Sequence, residues 1–178
     1  MLDQAVELFE RSVNEAADDD PELYVELCNF AVALADRARL DRNSDELRRA
    51  VQVGLKGVAL TPQEVMRPFV LTNVVDAIVE LARDFEDWEH VDMAVQLARW
   101  ALTVAVEQDD EVAKSYSHLG SALRMRAEDT GSAADLDDAV GALATAAELS
   151  SPEDLQQRFE LTGAAADLDE ADAVLARA

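Results

Sequence analysis

A single cysteine, Cys28, excludes an internal disulfide. It lies in the apolar stretch "LCNFAVALA", with no lysine, arginine or histidine within a helical turn to stabilise a thiolate, and reads as a small buried hydrophobe. With only two histidines, His90 and His118, no cluster has zinc-ligand spacing. G-x-S-x-G, P-loop and paired Glu-x-x-His motifs are all missing, which removes nucleophile-elbow hydrolases, common NTPases and ferritin-like di-iron bundles. The expectation is therefore a chain that is not an enzyme and needs no cofactor and no metal. Cations are scarce as well: 15 against 38 acidic residues leave a formal charge of −23, and only Lys56 and Lys114 are lysines. Such a charge argues against duplex nucleic acid and anionic membrane, and leaves a basic protein partner, or none, as the electrostatic default. No apolar run approaches the ~18 residues of a membrane span. Asp3, Glu7 and Glu10 interrupt any leader-like apolar core, so a soluble cytoplasmic protein is expected.

Strand signals are nearly absent too, and what is present is punctuated helix. Asp20 before Pro21, Thr61 before Pro62 and Ser151 before Pro152 each place a capping oxygen ahead of a proline at the first helical position. "TPQE" at Thr61 to Glu64 has capping-box spacing, while Pro68 either kinks the following helix or delays its start. "DDDPE" at Asp18 to Glu22 looks like an acidic metal string but reads as a helix start, where acids complement the helix dipole. In "DFEDWEH", Phe85 and Trp88 are expected to seal a core edge and Asp87 to cap the next helix. Apolar periodicity, as in Leu23, Leu27, Phe30, Ala31, Leu34 and Ala38, predicts helices near 2–17, 21–41, 45–60, 62–84, 88–108, 110–129, 133–149, 152–162 and 167–177. Short loops make successive helices antiparallel neighbours.

The pattern Leu/Val-x-x-Ala-Val/Asp recurs with its alanine at positions 5, 50, 94, 139 and 171, in steps of 45, 44, 45 and 32. A second series, Ala33-Leu34, Ala77-Ile78 and Ala122-Leu123, has steps of 44 and 45, with Ala38, Ala82 and Ala127 five positions beyond its alanines. Two registers at one period imply a repeat of two helices, and an internal repeat of this length implies a solenoid. The alanines admit close helix approach, and Val6, Val51, Val95 and Val140 are expected to fill the space between. The same sentence is written twice near the end, "TGSAADLDDA" from Thr130 and "TGAAADLDEA" from Thr162. It reads as a joint between units: Gly131 ends a helix, Ser132 caps the next with Asp135 three residues on, and Leu136 and Ala139 dock into the stack. The short step of 32 reflects a helix of about 11 residues in "PEDLQQRFELTG", spanning roughly 16 Å instead of about 30 Å. At the other end the first helix presents Leu2, Val6, Phe9 and Val13 on one face, to be covered by the following pair, by a second copy in a homodimer, or by preceding sequence.

These paired helices resemble tetratricopeptide repeats, most clearly in "YSHLGSAL", where Tyr116, Leu119 and Gly120 stand as in that family's first helix. The period exceeds the family's usual ~34 because both helices are longer. The stretch from Thr130, with "RFELTGAAADLDEA" from Arg158, is similar to a degenerate long-unit variety found in large bacterial proteins, often beside caspase-like peptidase or regulatory domains. The resemblance implies an all-α, right-handed α-solenoid of about nine helices, read as one domain over 1–178: a half unit over 1–17, units over 21–60, 62–108 and 110–149, and a short terminal unit over 152–178.

It further implies a ligand face lined by the first helix of each pair, where a polar column just before the leucine position holds a peptide. That column is Asn29, Asn73 and His118, with Lys114 one turn before His118. The alternative is that these side chains cap nearby backbone or simply face solvent. Val25 and Phe69 occupy the places equivalent to Lys114, which argues against tight recognition of an acidic peptide tail. The expected function is a non-catalytic scaffold binding a protein or peptide through Asn29, Asn73, Lys114 and His118. The alternatives are an acidic decoy or chaperone-like module for a basic partner, and a small-molecule sensor with a polar cavity near Tyr116 and His118.

Overall fold

The structure is a computed structural model and describes residues 2–17, 20–105 and 109–150. Among these residues it is all-α: α1 (Leu2–Glu15), α2 (Leu23–Asp41), α3 (Ser44–Leu60), a 3-10 turn at Gln63–Val65, α4 (Pro68–Phe85), α5 (Val91–Val104), α6 (Asp109–Thr130) and α7 (Ala133–Leu149). The helices expected over 152–162 and 167–177, and Ala171 with them, lie outside the described residues. Consecutive helices pack against one another, and α4 also touches both α2 and α6.

Each helix end has a local cause. Three α-helices close on a residue in left-handed conformation, Arg42 (φ 51°), Glu86 (φ 55°) and Gly131 (φ 71°). These positions are again 44 and 45 apart, so the backbone repeats the period found in the alanines. Side chains with a Cβ lose roughly 1 kcal/mol in this conformation. Arg42→Gly and Glu86→Gly should therefore each raise stability by up to about 1 kcal/mol, and Gly131→Ala should lower it similarly, read as shifts in urea midpoint.

Several starts differ from expectation. Thr61 does not open a helix; it closes α3, its Oγ1 donating to the Gly57 carbonyl oxygen at 2.8 Å and its N–H to the same oxygen at 3.0 Å. With that hydroxyl turned backward the capping box cannot form, and α4 starts six residues later than expected, at Pro68, after an extended Arg67 (φ −126°, ψ 149°) of the kind a following proline enforces. At the second helix, Asp20 Oδ1 accepts from the Glu22 N–H at 2.9 Å, which makes a turn of Pro21 and Glu22 and moves the helix start to Leu23. Asp87 does not cap α5. Its Oδ1 accepts from the Glu89 N–H at 3.3 Å and its Oδ2 takes Arg48 Nε at 2.5 Å, so the helix begins at Val91 behind an uncapped His90. The joint at Thr130 forms as expected, with Ser132 Oγ accepting from the Asp135 N–H at 3.2 Å. Asn43 does the same for α3 through the Glu46 N–H.

The core runs through every helix pair. Val6, Leu34, Leu47, Val51, Leu71, Ile78, Val91, Val95 and Leu123 are fully buried, as are Ala50, Ala94, Ala122 and Ala139. Val6 is buried, and Phe9 and Val13 pack, partly buried, against this core, with α1 lying on α2. Phe85 and Trp88 pack at its edge as expected. Val140 and Leu136, expected inside, are 62% and 50% exposed. The equivalent Val51 and Val95 are fully buried.

Arginine clamps tie the joints together. Arg37 on α2 pairs with Glu46 on α3 and, at 3.5 Å, with Asp3 on α1. Arg126 on α6 pairs with Asp135 on α7 at 2.5 Å and with Asp92 on α5 at 3.4 Å. All three members of the second clamp lie 89 positions beyond the first, two full periods. In the intervening unit Leu81 takes the arginine's register and Arg48 takes that of Asp3, and Arg48 pairs with Asp87. The middle joint thus keeps a clamp with its polarity reversed. Hydrogen bonding to Arg126 holds the Asp135 carboxyl below its ordinary pKa.

Candidate functional site between helices α2 and α4

An open cleft lies between α2 and α4, with Ala50 and Gly54 of α3 among its lining residues. Cys28, Ala31, Ala35, Ala50, Gly54 and Val70 line it, together with Val32, Arg39, Asn73 and Asp76. Side-chain size at two repeat registers in its wall differs from unit to unit. At positions 31, 75 and 120 the first helix of each unit carries Ala, Val and Gly; at 54, 98 and 143 the second carries Gly, Ala and Leu. In the third unit the large partner fills the small one's space: a Cβ on Gly120 would meet Leu143 Cγ at 2.6 Å. Only the first unit is small at both, Ala31 and Gly54, and Val74 reaches in from α4 to take up part of the gap.

Arg39 on α2 and Glu80 on α4 bridge the cleft at its C-terminal side, and polar pairing differs further along the two joints. Between α4 and α6, His118 Nε2 lies 3.0 Å from Asp76 Oδ1, with Nδ1 2.5 Å from the Lys114 carbonyl oxygen. Between α2 and α4 the matching registers hold Asn73 and Val32, and valine offers no partner. The four residues singled out from the sequence therefore separate. Lys114 and Asn29 are exposed on α6 and α2, Asn73 borders the cleft, and the half-buried His118 bridges two helices.

The sequence column did not reveal the cleft itself or Arg39, Asp76 and Gly54; alignment of the three units by register, with attention to volume, would have exposed them. Arg39 Nε donates to Glu80 Oε2 at 2.6 Å and its Nη1 to Asp36 Oδ1 at 3.0 Å. Burial works to lower the Arg39 pKa, but the Glu80 hydrogen bond and the charges of Glu80, Asp76 and Asp36 leave it raised. Burial pushes the Cys28 thiol up against a smaller opposing influence of the Thr61 hydroxyl, so the sulfur stays a poor nucleophile. Beside the cleft, Val25 and Phe69 are 42% and 57% exposed, each one turn before an asparagine of the column.

No family model, curated protein or solved structure matches the chain. Among the described residues, no three His, Cys, Asp or Glu side chains are grouped to hold a metal ion, and no helix is long and apolar enough to cross a membrane. What the site offers chemically is an apolar recess with polar edges, suited to holding a side chain.

Proposed function

We propose that this chain is a non-catalytic scaffold, a tetratricopeptide-like right-handed α-solenoid of the cytoplasm, which binds a protein or peptide on the face shared by α2, α4 and α6. The repeated left-handed caps and the clamps two periods apart support the reading of equivalent stacked units. The observation that carries the binding reading is the open apolar cleft beside Asn73, flanked by exposed Val25 and Phe69. Large apolar side chains left in solvent next to a recess are a common mark of an interaction surface. Lys114 and His118 extend the face onto α6, where the Asp76 bond fixes the His118 ring.

Asn29→Ala combined with Asn73→Ala should weaken capture of the partner from native extract severalfold while leaving stability within about 1 kcal/mol, since both side chains are exposed. Unchanged capture would remove this face from the assignment.

A further inference from the structure

We infer that the α2–α4 cleft is the anchoring pocket for one bulky apolar side chain, of the leucine or methionine class, on a partner segment whose neighbouring residues are basic. The inference rests on the scaffold reading and narrows it to one unit. The lining gives the anchor: Ala31, Ala35, Gly54 and Val70 wall the recess, and an apolar side chain set against them leaves water. At the α4–α6 joint, His118 and Asp76 pair across the position that Asn73 and Val32 hold here.

Charge gives the flanks. Asp36, Asp76 and Glu80 stand around Arg39 at the C-terminal side of the cleft, and Arg39 is already engaged by Glu80 and Asp36. Against these carboxylates, within a chain of charge −23, an acidic segment is repelled and a basic one attracted. The apolar surface of Val25, Val32 and Phe69 covers the N-terminal side. The occupant is therefore an apolar anchor with cations toward one end.

The test uses the full chain with isotope-labelled alanine and valine methyl groups, titrated with three hexapeptides: Lys-Arg-Ser-Leu-Arg-Lys, the same with serine for leucine, and the same with glutamate for every cation. The first should shift the methyl signals of Val32, Ala35, Val70, Val74 and Ala77. The serine peptide should bind about tenfold more weakly or worse, and the acidic peptide should leave the spectrum unchanged. Ala35→Leu, which fills the recess, should weaken the first peptide about tenfold. Val32→Gln, at an exposed position on the mouth, should weaken it severalfold and serves if the first variant fails to fold.

No binding by any peptide, equal binding of the acidic one, or full binding to a folded Ala35→Leu or Val32→Gln would overturn the pocket. Pocket failure with asparagine-dependent capture retained leaves the scaffold reading standing; pocket shifts that persist without asparagine-dependent capture support the pocket and remove the column.

Discussion

Ala94→Arg should abolish the cooperative unfolding transition of this chain, and Ala122→Arg should do the same. Both alanines are fully buried, Ala94 on α5 and Ala122 on α6. Each occupies a register repeated along the chain, where helices meet over a methyl group. A guanidinium placed there must either leave water without a counter-ion or drive the helices apart. The first route costs several kcal/mol and the second forfeits the burial of Val95, Ala98 and Leu123. Against a stability of about 5–15 kcal/mol for a domain of this size, either loss removes most or all of the margin. Circular dichroism during urea titration reads the outcome. Ala134→Arg, on the exposed face of α7, is the matched control and should move the midpoint by no more than about 0.5 kcal/mol. A native-like midpoint for Ala94→Arg would mean that the helices do not meet at this register.

Gly57→Val should destabilise by about 2–3 kcal/mol, whereas Gly141→Ala should stabilise by roughly 0.5–1 kcal/mol. A Cβ at Gly57 would come within 2.9 Å of Cys28 Sγ and 3.3 Å of both the Cys28 backbone nitrogen and Leu27 Cβ. The sulfur can rotate away, but the backbone of α2 cannot, so two further methyl groups on valine must push α3 off α2. Gly141 has nothing within 4 Å of an added Cβ, and there alanine simply gains helix propensity. Opposite signs from two mid-helix glycines in one assay separate packing from propensity. Equal effects at both would show that α2 and α3 are not in close contact at Gly57.

How far the sequence was legible depended on whether a feature repeats. Ala50, Ala94 and Ala139 recur in one register, and each is buried where the period places it. The joint at Gly131 and Ser132 was legible because glycine and serine act on their own backbone within three residues. Arg42 and Glu86 occupy the same left-handed position without glycine, so tertiary context overrides propensity there and no local signal marks the turn. Thr61 misled because a threonine before a proline serves equally as the end of one helix, and its hydroxyl found the Gly57 carbonyl first. The site was half legible. Asn29, Asn73 and His118 could be aligned by period, yet what separates them is the residue opposite each: Val32 for Asn73 and Asp76 for His118. Ala31 and Gly54, small together, both line the cleft, a property of pairs across helices that no single-register reading contains.

A photo-reactive amino acid placed at Val32, at the mouth of the cleft, and separately at Gln52, exposed on α3, tests most directly which surface engages a partner. Irradiation in native extract should give one discrete crosslinked species from position 32 and none from position 52. A product from position 52 alone, or the same product from both, would contradict binding on the α2–α4 face.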